Sequence, residues 1–136
     1  IGLGATSRLR MFLGKCVKAG IQPSSAKQWI PFRRYGLYKR KQGDKPKPHP
    51  IAMFYLIVEG KEPKLHFPVG GFYRKLVNFD VERLVEQLKE LGFSLSGKYQ
   101  EPRIYLRSHN DQSFFDALFE LVKRTADELE QTLRQD

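Results

Sequence analysis

Acidic residues are almost missing from the front of this chain. Residues 1–50 hold twelve Lys and Arg against one acid, Asp44, whereas residues 51–136 hold twelve bases and fourteen acids, so the formal charge of +9 belongs to the front. Cysteine is nearly absent too. The single Cys16 excludes an internal disulfide and any zinc cluster built on several cysteines, and it points to a reducing, intracellular compartment, cytoplasmic or nuclear or nucleoid. Long apolar runs are missing: the longest, residues 51–58, has the length of a strand, against the ~20 residues of a membrane-spanning helix. There is no Gly-x-x-x-x-Gly-Lys-Ser/Thr phosphate loop, no dinucleotide or kinase fingerprint and no internal repeat. His49, His66 and His109 stand too far apart for a His-x₃-His pair, so neither a metal nor another cofactor is expected.

What remains, 136 residues of which 40 % are apolar, suffices for one core. The expectation is a single basic domain over 1–136. The opening Ile1-Gly-Leu-Gly-Ala-Thr has no initiator Met, which fits a cloning remnant or the cut end of a larger multidomain protein.

Periodicity supplies the elements. Leu9, Phe12, Leu13, Cys16 and Val17 recur at helical spacing behind Thr6 or Ser7 as N-cap, and Gly20 followed by Pro23 ends the run. A helix over 7–19 follows, with Arg8, Lys15 and Lys18 on its solvated face and Cys16 on its apolar stripe as a core thiol rather than a nucleophile. Residues 26–41 favour strand by their aromatic and β-branched content, but Pro31 and Gly36 demand an edge strand or a bulge. The alternating prolines of 42–50 predict an exposed, polyproline-like loop. Residues 51–58 and 64–69 read as an antiparallel pair joined through Glu59-Gly-Lys-Glu-Pro, and 72–77 as one more short strand.

Val81, Leu84, Val85, Leu88 and Leu91 mark a second helix, capped by Asn78 or Asp80 and stopped by Gly92; Glu82, Glu86 and Glu90 are its solvated face. Residues 94–108 read as a hairpin around 97–102. A long closing helix begins after Asn110 or Asp111, with Phe114, Phe115, Leu118, Phe119, Val122, Ala126, Leu129 and Leu133 as its buried stripe. The whole predicts an α+β fold: a mainly antiparallel sheet of about 4–6 strands with three helices, the C-terminal one long.

The functional signal is clustering. Between Trp29 and Lys41 four aromatic rings interleave with five cations, and Arg33, Arg34, Lys39, Arg40, Lys41, Lys45 and Lys47 lie within fifteen residues. Contiguous cations release counterions from phosphates, and exposed rings stack on bases. The leading expectation is therefore a non-enzymatic DNA- or RNA-binding module using segment 27–47. Arg33, Arg34, Lys39, Arg40, Lys41, Lys45 and Lys47 would take phosphates and Trp29, Tyr35 and Tyr38 would take bases, a modified or flipped-out base among them. Arg8, Lys15 and Lys18 of the first helix would add a second contact. The competing view makes the rings the buried side of a strand and the cations its solvated side.

Two other classes compete. Tyr55-Leu-Ile-Val-Glu-Gly-Lys ends an apolar strand in Glu-x-Lys, with Asp44 fifteen residues before the Glu. This pattern resembles the PD-(D/E)xK nuclease superfamily, and the resemblance implies a divalent metal held by Asp44 and Glu59, with Lys61 supporting the attacking oxygen. Charged residues flanking a turn glycine account for the same three positions without catalysis, and that reading is preferred. Alternatively, the acidic end of the last helix, with Ala126, Leu129 and Leu133, would serve a homodimer or a contact within a parent protein. A membrane partner is not expected, since no single helix sets the cations opposite a bulky apolar face.

Overall fold

A computed structural model describes residues 3–25, 27–38, 47–58, 62–70, 73, 79–106 and 111–134. Its element order is α1 (Leu3–Lys18), β1 (Gln22–Pro23), β2 (Trp29–Tyr38), β3 (Lys47–Ile57), β4 (Lys64–His66), α2 (Val81–Glu90), β5 (Ser94–Ser96), β6 (Glu101–Tyr105) and α3 (Gln112–Arg134). The six strands form one sheet in the order β1-β2-β3-β4-β6-β5, every neighbouring pair antiparallel. This is the α+β fold expected, with three helices and a long last one among the described residues.

Alternation sorts the strands onto two faces. One face carries Ile30, Phe32, Phe54, Leu56, Leu65 and Ile104, and these join the helices' buried side chains in a single core. Phe32 stacks on Phe54 with centroids 4.8 Å apart, and Phe12 of α1 meets both Phe54 and Phe115 of α3 at 5.8 Å. Phe93, after α2, packs edge-on to Phe67 and against Phe114. The helices thus gather on this face.

Local chemistry explains the ends. Asp80 caps α2 by accepting the Arg83 N–H at 3.0 Å, and Gly20 and Gly92 stop α1 and α2 with φ of +85° and +105°. Helix α1 starts at Leu3, ahead of the expected cap at Thr6 or Ser7, so both hydroxyl residues lie inside it.

The proline segment departs from the expected loop. Lys47–Pro50 extends β3 and pairs with Tyr35–Tyr38 of β2. Spacing by two puts the missing N–H groups of Pro48 and Pro50 on one edge, so the residues between can carry the ladder to β2. Between Phe32 and Arg33 the register slips by one residue, with Met53 the extra residue on β3, so the irregularity expected for this strand pair falls opposite β2. Along β3, β4 covers only residues 55–57, and where it leaves, the buried Tyr73 hydroxyl donates toward the carbonyls of Ala52 and Met53 at 2.9 and 3.3 Å. The strand expected over 72–77 otherwise lies outside the described residues.

Candidate nucleic-acid interface

The opposite face of the sheet carries no helix among the described residues, and the register writes its surface in two rows. One row crosses from β2 to β6 as Trp29, Ile57, Lys64 and Tyr105; the next runs Pro31, Tyr55, His66, Arg103 and Ser94. Ile57 is fully buried yet stands outside the main core, between Trp29 and Lys64 in its row. Its neighbours at the row's ends are open: Trp29 is 38 % exposed and Tyr105 53 %.

Trp29 sits edge-on to Tyr55 at 6.1 Å and to His66 at 5.6 Å, and the Arg103 guanidinium lies over its ring at 5.9 Å. The Lys64 ammonium lies 5.5 Å over the Tyr105 ring. Such contacts hold cations and rings together in one patch. Neither Lys64 nor Arg103 has a carboxylate partner among the described residues, and the buried Nε–H of Arg103 lacks an acceptor among them.

The carboxylate of Glu101 on this face is occupied. Glu101 holds His66 Nε2 with one oxygen and accepts the Gly70 N–H with the other, both at 2.8 Å. Burial pushes the His66 pKa below its ordinary value; Glu101 opposes that shift, and Arg103 and Lys64 reinforce it. A neutral His66 then donates Nε2–H to Glu101. Gly70 is required here by space: a Cβ on it would stand 2.5 Å from the Tyr99 Cβ.

The expected site residues separate under the same alternation. Trp29 and Arg33 belong to the helix-free face, and Arg33 Nη1 donates weakly to Ser24 Oγ at 3.4 Å. Arg34 belongs to the helix face, where Asp127 at 3.1 Å and Glu130 of α3 hold its guanidinium. Tyr35, Tyr38 and Lys47 have a described backbone, paired between β2 and β3. Lys39, Arg40, Lys41 and Lys45 lie outside the described residues, as do Asp44, Glu59 and Lys61 of the nuclease-like pattern. On α1, Lys15 turns to α3, 3.5 Å from Asp116 and 5.6 Å over the Phe119 ring, while Lys18 is exposed and Arg8 half-buried. Ala126 and Leu129, offered above to a partner helix, are buried in this chain's own core.

Tyr55, Lys64, Arg103 and Tyr105 were not among the expected residues, because all four follow the basic segment in sequence, Tyr55 near the end of β3 and the others on β4 and β6. The alternation Arg103-Ile-Tyr was a usable signal, since it sets a cation and a ring on one face with a core residue between them.

Among the described residues no group of acidic, histidine or cysteine side chains could hold a metal, and no helix is long and apolar enough to cross a membrane. No family model, no curated protein and no solved structure matches this chain.

Proposed function

We propose that this domain binds nucleic acid, DNA or RNA, on the helix-free face of its sheet, with the basic segment 27–47 continuing that surface. The observation that carries the reading is the company Trp29 keeps. An exposed indole and an exposed phenol share one face with three cations, Arg33, Lys64 and Arg103, and the Glu101 carboxylate on that face is already engaged by His66 and Gly70. Rings offer π surfaces to bases, and unpaired cations offer charge to phosphates. An intracellular compartment, where such a ligand resides, also suits the lone, buried Cys16.

Chemistry divides the labour. Arg33 and Lys64 would neutralise phosphates and set affinity, while Trp29 would meet a base. Arg34 can contribute only by leaving two carboxylates, so its share is smaller.

Fluorescence anisotropy of labelled DNA and RNA, titrated at several salt concentrations, tests this. Binding at micromolar levels or tighter, falling steeply with salt, is expected. Arg33→Ala and Lys64→Ala should each weaken it across all sequences and reduce the log–log salt slope by about one. Absence of binding to every nucleic acid at low salt would refute the reading.

A further inference from the structure

Beside Tyr105 the helix-free face hollows into a cleft of about 420 Å³, between β4, β6, β5 and the end of α2. Lys64, Ser94, Ser96, Arg103 and Tyr105 line it together with Gly92 and Ile104. The volume lies in the ~300–1,000 Å³ range of small-ligand clefts. Its wall combines two cations, two hydroxyls and an aromatic ring with the apolar Ile104, and none of these lining residues is a carboxylate. The Arg103 Nε–H on that wall is buried without an acceptor among the described residues. A buried, unpaired donor is costly, and an oxyanion arriving beside the guanidinium offsets that cost.

The register adds a second feature. Trp29 and Tyr105 end the same row, three strand spacings apart, which at ~4.8 Å per spacing separates their backbones by about 14 Å. A ring can stack only on a base whose face is free, and in a duplex the neighbouring pairs cover that face. Two exposed rings at separated points on a sheet, with cations between and beside them, therefore suit an unpaired strand rather than a double helix.

We infer that the cleft is a nucleotide subsite for single-stranded nucleic acid: a phosphate lies between Lys64 and Arg103 with the Ser94 and Ser96 hydroxyls donating to it, a base rests on Tyr105, and the strand continues toward Trp29. This rests on the nucleic-acid reading above and adds the strandedness and the subsite. Glu101 keeps its carboxylate out of the ligand's way by holding His66 and Gly70.

The test compares labelled single-stranded DNA and single-stranded RNA of one mixed sequence with the duplexes formed by their complements, using anisotropy at fixed low salt. Both single strands are expected to bind about tenfold or more tightly than their duplexes, the tighter of the two naming the sugar recognised. Tyr105→Ala and Lys64→Gln replace side chains open to solvent and should each weaken single-strand binding about fivefold or more, with far-UV circular dichroism and melting temperature unchanged. Arg103→Lys, which retains the charge but loses the fork, should weaken it too. Duplex binding as tight as single-strand binding would overturn the inference, as would single-strand affinity unmoved by Tyr105→Ala and Lys64→Gln. Duplex binding of that kind would leave the broader reading intact, whereas unmoved affinity would also remove Lys64 from it and leave it to Trp29, Arg33 and the basic segment. Failure of all four ligands to bind would end both.

Discussion

His66 is nearly enclosed, with Glu101, Arg103, Lys64, Trp29 and Tyr55 around it, and burial is the largest influence on its proton. The folded chain holds the imidazole neutral at a pH where the unfolded chain protonates it. The folded pKa lies below the unfolded value of about 6.5, so the stability this residue contributes is complete above that pH and is lost as pH falls below it through the folded pKa. Thermal melts between about pH 7.5 and about pH 5.5 should therefore show a declining melting temperature, and His66→Gln should flatten the decline. An identical slope in the variant would mean that His66 does not carry it. Cys16 shows the same physics without consequence for function: enclosed on α1, its thiol is pushed up to about 12 and stays protonated.

At the level of elements, β2 and α3 are joined by more than apolar packing. Arg34 projects from β2 to Asp127 and Glu130 on the far half of α3, just where Ala126 and Leu129 enter the core. The acidic end of this helix thus has an internal use as counter-charge for the basic strand. Arg34→Met and Glu130→Gln should each cost about 0.5–1 kcal/mol, the scale of partly exposed ion pairs, and the double variant should cost less than their sum. Urea unfolding measures this. Strictly additive losses would show that the two side chains do not act as a pair.

The elements also show what could be read beforehand. Helix α2 was legible to its cap and stop, because Asp80, Gly92 and a clean apolar stripe agree. The stripe of α3 was legible from Phe114 to Leu129, with Phe119 partly buried, except for Leu121 and Thr125, buried because the helix is covered over a wider arc than one stripe; the side chain of Leu133 lies outside the described residues. Lys47–Pro50 was not, because prolines at alternate positions suit both an extended loop and a strand whose partner lies on one side only. Only pairing decides between them. The candidate surface was half legible for a related reason. Trp29 and Arg33 announce themselves within one segment, but Lys64, Arg103 and Tyr105 join them only through the β2-β3-β4-β6 order, which local sequence does not encode.

Across the whole molecule, the antiparallel sheet separates two environments. Its helix side holds the apolar core and the Arg34 ion pairs, and its other side holds rings and cations facing outward. From the basic front of the chain Arg33 enters that second side on β2, and Lys64 and Arg103 from the middle and rear join it there. The chain contains one tryptophan, Trp29, and it belongs to this face. Its emission is therefore an internal reporter of the proposed surface. The most direct measurement is a titration of Trp29 fluorescence with an unlabelled oligonucleotide, run beside anisotropy of the same oligonucleotide carrying a label. Trp29 emission is expected to be quenched in step with binding and to become less accessible to acrylamide. Binding seen by anisotropy with Trp29 emission and accessibility unchanged would contradict it, and would move the interface off this face of the sheet.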